Sequence, residues 1–223
     1  SLVEKVEQHK RIQVFTGVTV TDILGYVGNF ITRFTDTEGV KQSLEHGVTI
    51  VATGGEEYCP DDYLYQEDPR VITQSELEQR LEDQKLIEPT NVIMIQCVGS
   101  RDEQHPYCSR ICCTEAIKNA LVIKERSPET DVYILYRDIR TFGFKERYYR
   151  EARRQGVVFF EYDKDTKPEV KSDDGRLYVD VKVQPEGQVY ALDAGLVVLS
   201  AGIEPHEEND VLAKLLKVPL DED

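Results

Sequence analysis

Four of the five cysteines lie within 17 residues: Cys97, Cys108 and the vicinal pair Cys112 and Cys113. Thiolates are soft ligands that suit zinc and iron–sulfur clusters, and a dense, odd-numbered group points to metal or redox chemistry in a reducing compartment. The intervals, ten residues and then three, depart from the paired C-x-x-C of structural zinc sites and from ferredoxin runs. Adjacent cysteines crowd a single tetrahedral ion and are easier to use where each binds a different iron. The residues alone leave several readings open: an iron–sulfur cluster, a zinc site, a thiol redox pair at Cys112 and Cys113, or small core residues at a helix start. Cys59 stands apart in an acidic stretch and reads as structural or incidental.

Acid, base or nucleophilic chemistry has little to work with nearby. His105 is the one histidine between Cys97 and Cys113, and it reads as a surface residue before Pro106. Thiol–disulfide exchange wants a low-pKa thiol beside a positioned base, so no catalytic residue is assigned. No G-x-G-x-x-G occurs; where one would follow a first buried strand, the sequence reads Cys97-Val-Gly99-Ser-Arg101. Without those glycines backbone amides cannot approach a pyrophosphate, and a nicotinamide site is not expected. Arg137 reads as an edge salt bridge rather than a 2′-phosphate contact.

The elements that must position the cysteines follow from hydrophobic patterning. Residues 91–96, 132–136 and 157–160 are apolar runs of strand length, separated by helical stretches at 114–125 and 145–155, the latter closed by Gly156. This is βαβαβ, and it predicts a parallel sheet. Cys97 follows the first strand, and Cys112 and Cys113 open the first helix, so they meet at the carboxyl edge where such folds place cofactors. Alternating segments at 168–170, 177–183 and 188–192 predict an antiparallel meander, and a buried strand at 196–200 runs into Ala201-Gly202-Ile203. Upstream, the pattern predicts a helix tail at 2–9 and a strand at 12–15. A meander at 18–36, turning at 25–29, precedes a buried strand at 48–52 that ends in Thr53-Gly54-Gly55. Residues 56–69 read as an acidic crossover, and 73–81 as a short helix capped by Ser75 with Glu78.

With 27 Lys and Arg against 42 Asp and Glu, the net charge is −15, which argues against a nucleic-acid partner. No apolar run approaches the roughly 18–20 residues a spanning helix needs, so no direct membrane insertion is expected. The single methionine, Met94, and the turn-like end Leu220-Asp221-Glu222-Asp223 suggest a piece of a longer chain.

Residues 92–160 contain I-Q-C-V-G-S-R, Y-C-S-R-I-C-C-T-E-A-I-K-N-A-L and Y-I-L-Y-R-D-I-R-T-F-G. This run closely resembles the A subunit of heterodisulfide reductase and the related flavoprotein subunits of the quinone-interacting membrane-bound oxidoreductase complex, and the likeness extends to G-Y-V-G-N-F at 25–30. The resemblance implies an α/β fold of FAD/NAD(P)-binding, thioredoxin-reductase-like architecture. It comprises a Rossmann-like parallel sheet with an antiparallel β-meander, plus part of the flavin domain. It implies a partial FAD-type domain at 1–58, a linker with a short helix at 59–90, a Rossmann-like NAD-type domain at 91–200 and a return segment at 201–223. It also implies a [4Fe–4S] cluster on Cys97, Cys108, Cys112 and Cys113. FAD would belong to the parent protein, near Thr53, Gly54, Gly55 and Gly202, where A-T-G and S-A-G-I segments mark passages between flavin and nicotinamide domains. The implied role is a cytoplasmic electron-transfer component that relays electrons between FAD and clusters on other redox subunits. The competing expectation is a Rossmann-like scaffold whose structural zinc serves the assembly of a complex.

Overall fold

In the computed structural model, which describes residues 2–83 and 89–220, backbone contacts divide the chain into two units: 2–55 with 205–220, and 56–204. The first unit opens with a short helix, α1 (Leu2–Glu7), followed by three antiparallel strands, β1 (Thr19–Tyr26), β2 (Asn29–Thr35) and β3 (Lys41–His46). Tyr26 pairs with Asn29, so the hairpin turns on Val27 and Gly28, within the expected stretch. The buried ring of Phe34 packs against Phe15 at 4.9 Å. The helix Asn209–Leu216 packs on β1; its apolar spacing was not read from the sequence.

Two expected strands of this unit are not strands. Residues 12–15 and 48–52 lie outside any ladder, and Ile50 is 86% exposed. A run of β-formers becomes a strand only where a neighbour takes its backbone groups, and among the described residues none pairs with 48–52.

The second unit begins with β4 (Glu56–Glu57) and continues through β5 (Val71–Thr73), α2 (Gln74–Glu82), β6 (Asn91–Val98), α3 (Cys112–Arg126), β7 (Asp131–Tyr136), α4 (Glu146–Arg154) and β8 (Val158–Glu161). Then come β9 (Glu169–Asp173), β10 (Arg176–Val183), β11 (Gln188–Ala194), β12 (Leu196–Ala201) and β13 (Ile203–Glu204); the helix Asn209–Leu216 is α5. Five strands form a parallel sheet ordered β5-β12-β6-β7-β8. β13 returns to pair with β4. The parallel pattern is as the sequence predicts, and β5 is an addition: three buried residues beside the acidic stretch pair with Val197, Val198 and Leu199.

Side-chain alternation explains how both faces of the sheet are covered. Val92, Met94, Val132, Ile134 and Val198 pack with Leu77, Ile117 and Ala120 of the helices. Ile93, Ile95, Leu135, Val197 and Leu199 point the other way, onto Leu177, Val179 and Val181 of the β9–β11 meander. The helix expected at 73–81 is α2, but its cap lies earlier than Ser75. Thr73, extended at the end of β5, accepts from the Glu76 amide at 3.3 Å, and Glu76 accepts from the Thr73 amide at 2.8 Å. The strand thus hands the chain to the helix without an intervening loop.

Candidate functional site

The sheet's carboxyl edge is centred on β6, which has β7 and β8 on one side and β12 and β5 on the other. Ile95 pairs with Leu199 and Val98 with Ala201, so β6 holds one residue more than β12 over that interval. The surplus coincides with Cys97, whose φ is +63°. Such a bulge re-aims a side chain, and a non-glycine residue in the left-handed region costs about 1–2 kcal/mol. The strand therefore ends on a strained, half-buried cysteine.

The loop that follows is held by its own polar groups. The Arg101 amide donates to the Tyr107 carbonyl at 3.0 Å, as does the Ser100 hydroxyl at 3.0 Å. Asp102 accepts from the amides of Gln104 and His105. His105 is half-buried rather than a surface residue: its Nε2 lies 2.9 Å from a Glu204 carboxylate oxygen, and its ring sits between Tyr58 and Tyr107. This folded loop carries Cys108 to the start of α3, where Cys112 and Cys113 occupy the first turn. Ile111 is the N-cap and provides no side-chain cap, so the partial positive charge of that helix end faces the thiols.

Each thiol meets a different strand end. Cys112 donates to the carbonyl of Ala201 at the end of β12 (3.4 Å), and Cys113 approaches the carbonyl of Asp138 beyond β7 (3.9 Å). Cys97 lies at the end of β6 between them. All four are free thiols close enough for their charges to act on one another. Burial pushes Cys112 up to about 12 and Cys113 up to about 11, each raised further by neighbouring cysteine charge. Burial also raises Cys97, against the opposing pull of Arg101 and Arg137.

The cationic side of the site was not read from the sequence. Arg101 reaches Cys97 at 3.9 Å and pairs with Asp138. Arg140 pairs with the same carboxylate at 3.1 Å and lies near enough to Cys108 for their charges to interact. Burial works to raise Asp138, but the two guanidiniums hold it below the usual carboxylate range. Arg137 departs from the expected edge salt bridge: it donates to the Arg101 carbonyl at 2.8 Å and so braces the loop. Arg101 and Asp138 are 37 residues apart in sequence, and only the S-R and R-D-I-R segments beside the cysteine motif hinted at them.

Among the described residues, no three His, Cys, Asp or Glu are arranged to hold a single metal ion. A lone zinc needs every sulfur about 2.3 Å from one point, so the zinc scaffold is not favoured. A cluster spreads its thiolates over separate irons. Four free cysteines in one cradle, an uncapped helix start and three arginines fit such an anionic group by charge and donor type.

The positions expected near a flavin fall in different units of the chain. Thr53, Gly54 and Gly55 form exposed coil in the first unit, with Gly54 at φ +71° and open space where a Cβ would project. Gly202 lies in the second unit, where a Cβ would stand 2.4 Å from the Gly99 carbonyl oxygen. Its amide donates to Val98, and its carbonyl accepts from Tyr58. Close backbone packing accounts for glycine there without a ligand.

Known proteins resemble this arrangement in sequence and in fold. The iron-sulfur A subunit of the CoB–CoM heterodisulfide reductase of Methanocaldococcus jannaschii is 40% identical over 203 residues, 81% of this chain and 30% of that protein. The A subunit of the H2/formate:CoB–CoM heterodisulfide,ferredoxin reductase of Methanococcus maripaludis is 37% identical over 206 residues, 82% of this chain and 30% of that protein. This chain is a homologue of heterodisulfide reductase A subunits. It spans about 30% of the length of these curated relatives. No protein-family model matches it.

Solved structures agree on the α/β, FAD/NAD(P)-binding architecture. The FAD-bound cadaverine monooxygenase of Erwinia amylovora superposes with a TM-score of 0.55 at 12% identity, covering 97% of this chain and 58% of that one. The ornithine N-hydroxylase of Kutzneria sp. 744, with reduced FAD and NADP+, gives 0.51 at 15%, covering 92% and 58%. At such identities the likeness concerns the fold. Among the described residues no helix is long and apolar enough to cross a membrane.

Proposed function

We propose that Cys97, Cys108, Cys112 and Cys113 hold a [4Fe–4S] cluster. We further propose that this stretch relays electrons between FAD and iron–sulfur clusters of neighbouring subunits, in a cytoplasmic complex of heterodisulfide reductase type. The supporting observation is that four free thiols share one sheet edge with three arginines and an uncapped helix start. The names of the relatives support the iron–sulfur and heterodisulfide terms. When bound, the cluster supplies one-electron chemistry, and no acid, base or nucleophile is required of the chain.

The protein's own contribution is electrostatic and positional. The bulge at Cys97 and the first turn of α3 bring thiols from two elements to the same sheet edge. Arg101 and Arg140, clamped by Asp138, offset thiolate charge that burial would otherwise oppose. Hydrogen bonds and positive charge at the sulfurs are levers on reduction potential. FAD is proposed for the longer protein, with Thr53, Gly54 and Gly55 in the first unit and Gly202 in the second as the positions carried by resemblance.

The test is anaerobic purification followed by iron and acid-labile sulfide analysis and a visible spectrum. A brown protein with iron and sulfide in [4Fe–4S] proportion is expected, and single Cys→Ser substitutions at the four positions should lower iron content. A colourless protein that binds stoichiometric zinc and takes up no iron on reconstitution would overturn the reading.

A further inference from the structure

The segment after β7 reverses the character of the rest of the chain. Residues 137–154 hold seven Lys and Arg against three Asp and Glu, in a protein of net charge −15. Within it Phe144 is 92% exposed, Phe142 63% and Tyr148 42%. An exposed aromatic pair on an acidic protein, framed by cations, is not the ordinary solvated surface. The helix that follows buries Ala152 and packs Tyr149 on Phe159, which leaves Arg147, Arg150 and Arg154 on the outer side. These three, with Gly143, Phe144 and the carboxylates Glu146 and Glu151, line a groove of about 500 Å³ in which three cations face two anions.

The arginines are held in place. The Arg147 guanidinium sits 4.7 Å from the Tyr148 ring centre and donates to its hydroxyl at 2.7 Å. Arg150 pairs with Glu146 at 3.8 Å, and Arg154 pairs with Glu151. Such anchoring lowers the entropy lost on docking, and arginine with aromatic residues is the composition enriched at interface centres. In sequence the patch follows directly on the cysteine site: the Asp138 carbonyl faces Cys113, and Phe142 is four residues further on.

We infer that Phe142, Phe144, Arg147, Arg150 and Arg154 form the docking surface for an acidic one-electron carrier protein that exchanges electrons with the four-cysteine site. The choice of a carrier rests on the iron–sulfur reading of those cysteines; the docking geometry does not. Coulomb's law selects an acidic partner for this patch, and the negative remainder of the chain orients that partner toward it by repulsion elsewhere. With a cluster held by the four cysteines, one electron would pass between it and the carrier's own metal centre, one oxidised as the other is reduced, with no bond change.

A small acidic [4Fe–4S] ferredoxin serves as the probe. Its binding to the full chain is followed by co-sedimentation of its own visible absorbance, and electron exchange by stopped flow, at low and high salt. The triple charge reversal Arg147→Glu, Arg150→Glu and Arg154→Glu should weaken binding by about tenfold or more at low salt and flatten the salt dependence. Phe144→Ala should weaken binding while keeping the salt slope, and Arg176→Glu, an exposed arginine on the meander, should change neither. An unchanged affinity and salt slope in the triple variant overturns the inference. So does a self-associated wild-type chain that the triple variant dissolves, which would make the patch an interface between copies. If iron analysis finds no cluster, the cysteine reading fails, while the sedimentation result still judges the docking surface.

Discussion

Residues 48–52 and the strand Leu196–Ala201 are both short apolar runs that end in a glycine turn, yet they meet opposite fates. Every position of β12 is buried, with β5 on one side and β6 on the other. Val48, Ile50 and Val51 are exposed and outside any ladder. Composition is nearly the same in the two runs, so the difference lies in backbone partners and in what covers each face. β12 has helices over one side and the meander over the other. The comparison teaches that an apolar run reports a capacity for burial, and that pairing decides whether the capacity is used.

The strongest way to break this contrast is truncation. Leu199→Ala, at a fully buried site, should destabilise the second unit by about 2–5 kcal/mol. Ile50→Ala should stay within about 0.5 kcal/mol. Chemical denaturation of both variants checks the pair, and equal costs would mean that 48–52 is packed in solution.

The terminal glycines give the next largest effect. Gly202→Ala forces a methyl against the Gly99 carbonyl and should cost about 1–3 kcal/mol, with reduced iron uptake because the displaced loop carries Cys108. Gly54→Ala meets open space and should cost about 1 kcal/mol through its positive φ alone. Melting curves with metal analysis distinguish the two.

Smaller effects probe the partner strand of β12. Thr73→Ala removes the cap that joins β5 to α2 and should cost about 1 kcal/mol, read by thermal unfolding. The smallest concerns Asp68, held below the usual carboxylate range by hydrogen bonds from Arg70, which outweigh burial. Arg70 in turn donates to the Gly175 carbonyl, while its own carbonyl accepts from Val197. A depressed folded pKa stabilises above the unfolded value, about 3.9, and that contribution fades as pH falls through the folded value. Asp68→Asn should therefore cost under about 1 kcal/mol at neutral pH and nothing once the carboxylate is protonated. A pH series of denaturation midpoints tests the convergence.

The same logic explains what could be read from residues alone. The strands β6, β7 and β12 were legible because strands buried on both faces leave continuous apolar runs, and the half-exposed edge strand β8 was legible through its run of β-branched and aromatic residues. β5 was hidden because three residues carry no period and its pairing lies more than a hundred residues away. The four cysteines were legible as a group by spacing. The Arg101–Asp138–Arg140 clamp was not, because its members sit in two loops that only the parallel pairing of β6 and β7 brings together. The cap at Thr73 was misplaced at Ser75 for a related reason: the helix starts where an unrecognised strand stops.

The pairing of β4 with β13 has a consequence for how the protein is made. These strands are the first and last elements of residues 56–204, while the other unit is built from chain on both sides of that segment. During synthesis the N-terminal portion emerges first but cannot be completed until 205–220 has left the ribosome. If the inserted segment folds on its own contacts, assembly runs from the inside outward. Released chains truncated near residue 210 should resist protease through the parallel sheet while the segment before Gly55 is still cleaved. The cysteines would then be in place, and ready for metal, before the other unit is complete in sequence.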